Sequence, residues 1–315
     1  MTQMLIFKEK LKNIYSSYSV YIDPAIRFVL TFSFLLLVNH YFDYAGIFSN
    51  PVVAILVSMI CCLLPINFSV LVTAFFVIVN VYYINPIMAL IVLMIYLVMF
   101  IMYFRFSAKY GYILMLMPIM FFLKIPYIIP IVIGILMIPS AIFAMIFGII
   151  IHFILLITGN DGVVLVNGTS VSSSDKVSLF IKNIASNKEM IIYIVAFTVT
   201  AVVAYLIAKL SINYAKDIAI MVSGILNFAI IITLSLVTDL DLSSSIIVIG
   251  LCIAISVGIT YLLSKMILAL DYQRTEFVQY EDDNYYYYVK AIPKVKVSAE
   301  NVQVQHINVK RNRRR

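Results

Sequence analysis

The chain has 315 residues, of which 63% are hydrophobic and only 12% are charged, and its net charge is +7. A soluble domain carries about 25% charged residues, so this composition excludes an ordinary globular protein. The apolar residues form long runs without alternation, which excludes the strands of a membrane β-barrel. Since a helix needs roughly 20 apolar residues to cross a bilayer, the sequence predicts an all-α polytopic membrane protein.

The first segment, residues 1–24, is predicted to be a basic amphipathic helix on the cytosolic face of the membrane. Apolar residues recur in it every three or four positions, at Met4, Phe7, Leu11, Ile14 and Tyr18. Lys8, Lys10 and Lys12 lie between them, which is typical of a helix lying on anionic lipid. The alternative is an irregular basic terminus.

The membrane regions are residues 25–158, with about seven predicted spans, and residues 190–270, with three more. The number of spans depends on the apolar run 127–158, which is too long for one crossing and contains Pro139. If Pro139 breaks it into two short spans, there are about ten transmembrane helices and both basic termini are cytosolic, as the positive-inside rule favours. If the run crosses once, the tail lies outside. We predict ten spans.

Two segments outside the bilayer have patterns of their own. The extracytoplasmic loop, residues 159–189, has an apolar stripe of helical spacing at Val177, Phe180, Ile181 and Ile184, which predicts an interfacial helix. The cytosolic tail, residues 271–315, contains "TEFVQYE" and "YYYYVKA" on either side of a turn signal at residues 282–284. These β-favouring runs predict a small hairpin, which would be marginal alone and would pack on the inner loops or on another protein.

Two stretches carry a resemblance to a known family. "FLKIPYIIP" at 122–130 and "YEDDNYYYYVKAIPK" at 280–294 resemble uncharacterised multi-pass membrane proteins of low-GC Gram-positive, clostridial-type bacteria. That family has no assigned activity, so the resemblance implies only a bacterial plasma membrane.

No catalytic or metal-binding pattern is present in the sequence. His40, His152 and His306 lie far apart and none begins a zinc-protease motif, and no Gly-rich nucleotide loop occurs. We therefore expect no enzyme activity and no cofactor. Ionisable and amide side chains inside the membrane mark transport sites by default, which makes His152, Lys124 and Asn80 candidates for a transport path. The alternatives are an interhelical hydrogen bond for His152 and a snorkelling side chain for Lys124.

Small residues spaced four apart predict two helix-packing faces. Ser140, Ala144 and Gly148 lead up to His152, and Gly250, Ala254 and Gly258 form a second stripe. Such stripes let helices approach closely, so we expect both to face protein.

Two functions are compatible with these patterns. The first is a non-catalytic membrane scaffold or assembly component whose tail docks a cytosolic or membrane protein through Tyr285, Tyr286, Tyr287 and Tyr288. The basic end, Arg311, Arg313, Arg314 and Arg315, would bind anionic lipid headgroups. The alternative is a permease for a small apolar or lipid-like substrate, with a path through residues 110–158. A homo-oligomer is compatible with both, and nucleic acid is not expected as a partner.

Overall fold

The computed structural model describes residues 2–42, 46, 48, 50–136, 138–167, 173–210, 214–238, 246–267, 276–281 and 286–291. The chain divides into two units. Met1–Ser16 and Met266–Arg315 form one, and the membrane body, Ser17–Lys265, forms the other.

Helices make up nearly all of the described chain. They are α1 (Thr2–Tyr41), α2 (Pro51–Leu63), α3 (Ile66–Ile84), α4 (Pro86–Phe106), α5 (Gly111–Phe122), α6 (Ile128–Ile135), α7 (Ala141–Asn167), α8 (Ser173–Ala185), α9 (Lys188–Ala208), α10 (Ala215–Val237) and α11 (Ile246–Ile267). Asn50 and Asn85 cap α2 and α4, each accepting a bond from a backbone N–H two residues on, and a proline follows each cap. Proline suits that first position because its missing N–H has no helical partner there.

Seven of the described helices are long and apolar enough to cross a membrane. These are α1 from Ser17 onward, α3, α4, α7, α9, α10 and α11. The fold is therefore helical and multi-pass, as predicted, but ten crossings are not confirmed. Helix α2 has 13 residues, α5 has 12 and α6 has 8. At about 1.5 Å per residue, α5 and α6 are shorter than a bilayer's hydrocarbon core of about 30 Å.

The predicted break at Pro139 is present, because α6 ends at Ile135 and α7 begins at Ala141. The break is more uneven than expected: the helix before it has only 8 residues, whereas the helix after it has 27. Tyr18 interrupts α1 with a non-helical backbone (φ −121°, ψ 18°), so the basic N-terminal segment is helical but separate from the span that follows.

Contacts across the membrane body sort the helix ends into two faces. We call the first of them the basic face. There the hydroxyl of Tyr103 donates to Asn67 Oδ1 at 2.7 Å, which joins the end of α4 to the start of α3. Ser107 Oγ donates to the carbonyl of Ser140 at 2.5 Å, joining the C-terminal cap of α4, just before α5, to the residue before α7. Helices α5 and α6 together therefore leave the basic face and return to it.

The last three helices extend the same two faces. A small apolar cavity is lined by Ile138 and Ile142 together with Ala201 and Tyr205, so α9 ends on the basic face. Lys265 Nζ and Asp217 Oδ2, 2.7 Å apart, join the end of α11 to the start of α10 there.

At the opposite face, a Cβ on Gly159 of α7 would lie 3.0 Å from a ring carbon of Tyr41. Lys188 Nζ donates to the carbonyl of Thr238 at 2.8 Å, joining the start of α9 to the end of α10.

The two predicted packing stripes have different outcomes. A Cβ on Gly148 would lie 2.5 Å from Met117 Cβ and 3.0 Å from the carbonyl oxygen of Leu114, so the α7 stripe packs against α5, as predicted. Gly258 has nothing within 4 Å and is exposed. The prediction that the α11 stripe packs within the chain is therefore wrong at Gly258, because the buried side of α11 is the one that carries Ile253, Ser256 and Thr260.

Helix α8 forms as predicted, with its apolar stripe split by burial. Phe180 is buried in a core that also contains residues of α1, α3, α4, α5 and α7, and Val177 and Ile184 pack against that core. Ile181, by contrast, is 49% exposed.

In the tail, strands β1 (Glu276–Glu281) and β2 (Tyr286–Ala291) pair antiparallel, from Glu276 opposite Ala291 to Glu281 opposite Tyr286. The predicted turn at residues 282–284 lies outside the described residues, so the complete hairpin stays a prediction.

Candidate functional site

The short hairpin of α5 and α6 ends in a turn built around Lys124. The N–H of Lys124 donates to the carbonyl of Phe121 and the N–H of Ile125 donates to the carbonyl of Met120, both at 3.0 Å. This pair of bonds is the Schellman motif, in which the residue after the helix takes a left-handed backbone. Lys124 has φ 61° and occupies that position, with an exposed side chain.

An aromatic cluster packs around the base of this turn. Phe121 stacks face to face on His152, with ring centroids 4.3 Å apart and an interplanar angle of 7°. Tyr193 of α9 meets the edge of Phe121 at 5.1 Å. Tyr127, on the other side of the turn, lies 5.7 Å from Phe197. Rings from α5, α7, α9 and the turn therefore fix the tip of the hairpin.

His152 is the polar member of the cluster. Its side chain is only 7% exposed, and its Nδ1 has no hydrogen-bond partner among the described residues. Desolvating a nitrogen without a partner is unfavourable. The Nδ1 atom of His152 therefore lies in the cluster at a cost in stability.

Two of the three candidate path residues, Lys124 and His152, lie at the tip of the α5–α6 hairpin, on either side of Phe121. Asn80 lies in α3 between Val77 and Val81, whose core also contains Ile151 and Ile154 of α7. Asn80 Nδ2 donates to the carbonyl of Phe76 in its own helix at 2.9 Å.

Several polar contacts were not predicted from the sequence. Arg27 lies inside the first apolar run, and its Nη1 donates at 3.0 Å to the carbonyl of Leu64, at the C-terminal cap of α2. A cation is favourable at a helix C-terminus. The charge of Arg27 inside an apolar run was the signal that could have found it. Lys265 pairs with Asp217 in the same way, across two helices.

The buried hydroxyl groups of the body mostly bond back to their own helix. Ser58, Thr200, Ser256 and Thr260 each donate to the carbonyl four residues earlier. This is the usual way for a hydroxyl to be satisfied in a membrane helix, and it leaves these groups no free donor for a passing solute.

The docking and headgroup residues lie mostly beyond the described chain. Tyr286, Tyr287 and Tyr288 are on β2, whereas Tyr285 and the arginines Arg311, Arg313, Arg314 and Arg315 are outside the described residues.

Within the described part, no group of three or more His, Cys, Asp or Glu side chains could hold a metal ion. No family model, curated protein or solved structure matches the chain.

Proposed function

We propose that this protein is a non-catalytic integral membrane scaffold or assembly component of a bacterial plasma membrane, whose cytosolic tail docks a protein partner. The observation that carries the proposal is the satisfaction of the buried hydroxyls within their own helices, as at Thr200 and Ser256. A solute path needs convergent polar groups, and the body uses most of its buried Ser and Thr hydroxyls internally. The tail, in contrast, concentrates charge and tyrosine outside the bilayer.

Three observations support both termini being cytosolic. The bond from Ser107 to Ser140 returns the α5–α6 hairpin to the basic face, so these two helices together do not change the parity, and adding α2 to the seven long helices gives an even number of crossings. Arg105, Lys109, Lys209 and Lys265 all lie toward that face, as the positive-inside rule favours for the cytosol. Met1–Ser16 also groups with Met266–Arg315 in one unit.

The strand register refines which tyrosines would dock a partner. Tyr280 pairs with Tyr287 and Val278 with Val289, and alternate residues of a strand share a face, so these pairs define one face of the hairpin, which we call the valine face. Tyr286 and Tyr288 belong to the other face, where they pair with Glu281 and Gln279. A partner that adds a strand or covers one face would distinguish the two sets.

The test is photo-crosslinking in cells, followed by binding of the identified partner in purified form. Tyr286→Ala with Tyr288→Ala should change the partner's affinity differently from Tyr285→Ala with Tyr287→Ala, because Tyr287 lies on the valine face whereas Tyr286 and Tyr288 lie on the other. Equal effects, or binding that survives removal of residues 275–315, would refute docking by the hairpin.

The basic end should add lipid binding to this docking role. Replacing Arg311, Arg313, Arg314 and Arg315 by Gln should weaken binding of the tail to vesicles containing phosphatidylglycerol, and the difference should shrink in high salt. Equal binding to neutral vesicles would exclude a headgroup role.

A permease for an apolar or lipid-like substrate is the second candidate, favoured by the unpartnered Nδ1 of His152 at the tip of a short hairpin. Broken helices at membrane depth usually line a cavity or are buried in protein. Reconstituted protein should then move a fluorescent phospholipid between leaflets, and His152→Phe should reduce that rate. No movement above protein-free vesicles would rule out lipid transport.

A further inference from the structure

We propose that the valine face of the tail hairpin is covered by the N-terminal helical segment of the same chain, residues 2–16. The two termini would then form one module in which the first segment shields the tail. The inference rests on the same hairpin as the proposed function, but it needs no external partner.

The first observation is that the termini belong together. Met1–Ser16 forms a unit with Met266–Arg315, whereas α1 from Ser17 onward belongs to the membrane body. The division falls beside Tyr18, where the backbone leaves helical geometry (φ −121°, ψ 18°). The first segment is thus a separate helical piece, linked to the span at a break.

The second observation is that the tail hairpin and the N-terminal segment each have an apolar surface that the other could cover. A two-stranded sheet is marginal alone and needs a cover over one face. The register places Val278 opposite Val289 and Tyr280 opposite Tyr287, so one face offers a continuous apolar strip. The N-terminal segment has apolar residues at helical spacing, at Met4, Phe7, Leu11 and Ile14. A helix packed on a sheet buries both surfaces.

The third observation is complementary charge. The helical segment carries Lys8, Lys10 and Lys12 against Glu9 alone. Glu276, at the start of β1, lies on the valine face with Val278 and Tyr280, and the residue opposite it is Ala291, which carries no charge. Lysines flanking the apolar stripe can therefore meet the carboxylate of Glu276, which favours this occupant over a neutral apolar one.

Disulfide formation in the full chain tests the contact. Native Cys61, Cys62 and Cys252, which are free, are replaced by Ala, and Leu11→Cys is combined with Val289→Cys. The matched controls are Glu9→Cys with Val289→Cys, since Glu9 lies about 160° from Leu11 around the helix, and Leu11→Cys with Tyr288→Cys on the other face. We expect an intrachain disulfide that forms about tenfold faster in the test pair than in either control.

Hydrogen exchange provides the second measurement. Leu11→Asp should raise amide exchange in β1 and β2 about tenfold, because an uncovered hairpin opens readily. Asn13→Asp, which adds the same charge on the opposite side of the helix, should leave it unchanged.

Three results would overturn the proposal. Equal disulfide rates in test and control pairs would show no preferred face, and disulfides formed only between chains would assign the contact to a second copy. Quenching of a fluorophore on Leu11→Cys by nitroxide lipids, without a disulfide, would place the segment on the membrane. Failure of the partner-docking experiment leaves all these readouts unaffected, so the two proposals fail separately.

Discussion

Lys124 occupies a backbone position that favours glycine. Its φ of 61° follows from the Schellman turn at the end of α5, which requires a left-handed residue. A residue with a Cβ is strained there by roughly 1–2 kcal/mol. A lysine at this position gives no sequence signal of a left-handed backbone.

Lys124→Gly should raise the free energy of unfolding in detergent by about 1 kcal/mol, because it removes the Cβ strain. Lys124→Ala, which loses the amine but keeps the Cβ, should show no comparable gain. Denaturant titration followed by circular dichroism measures both variants. Loss of stability in Lys124→Gly would mean that the amine itself stabilises the turn. A gain would mean that lysine is kept there at the expense of stability, which points to a role for the amine.

His152 presents the opposite case, in which the ring is well packed and the nitrogen is not. His152→Phe should keep the stack on Phe121 and match or exceed the native stability, since it removes a buried nitrogen without a partner that costs about 1–3 kcal/mol. His152→Ala should lose about 3 kcal/mol or more by leaving a cavity. If His152→Phe lowers the free energy of unfolding as much as His152→Ala does, the imidazole nitrogen makes a bond that stabilises the α5–α6 hairpin.

At the scale of elements, two glycines with the same sequence context lie in opposite environments. Gly148→Leu should destabilise the protein by about 1–3 kcal/mol, because its Cβ would meet Met117 and the backbone of Leu114. Gly258→Leu, with nothing within 4 Å, should leave thermal stability in detergent nearly unchanged and serves as the control. Equal melting temperatures for both variants would contradict the packing of α7 on α5.

The helices also show which features of the fold could be predicted from the sequence. Runs of apolar residues predicted the helices, and the stripes predicted close packing for Gly148. The spacing of small residues alone could not predict whether a stripe faces lipid or another helix. Every side of a membrane helix is apolar, and an apolar side can pack against either. The aromatic cluster around Phe121 was not predicted for the same reason. Its rings come from α5, α7 and α9, and they meet only when the α5–α6 hairpin packs against the other two helices.

At the scale of the whole molecule, the contacts predict which loops share a side. Single cysteines at Lys109 and Lys209 should react with an impermeant maleimide only after cells are permeabilised, because both residues are exposed toward the basic face. A cysteine at Ser186, between α8 and α9, should react in intact cells. Labelling of Lys109→Cys in intact cells would invert the assignment.

The count of crossings was the least predictable part of the molecule. Hydropathy identifies apolar runs, but it does not show how many residues of each run form a helix and how many form a turn. The run 127–158 loses residues to the turn around Pro139, and the run that precedes it ends in the turn at Lys124. The return of α6 toward the start of α5 rests on the bond between Ser107 and Ser140, a tertiary contact that no local pattern contains.

The shortness of α5 and α6 has a consequence for how the protein is made. Gly134 of α6 fits against Ala201 and the backbone of α9, where any Cβ would collide with the side chain of Ala204. Helix α5 can pack on α7 as soon as α7 is made, whereas the Gly134 face of α6 has its partner only in α9. Helix α6 therefore reaches its final packing after three further helices have been synthesised, although it belongs to the first pair of helices translated after α4.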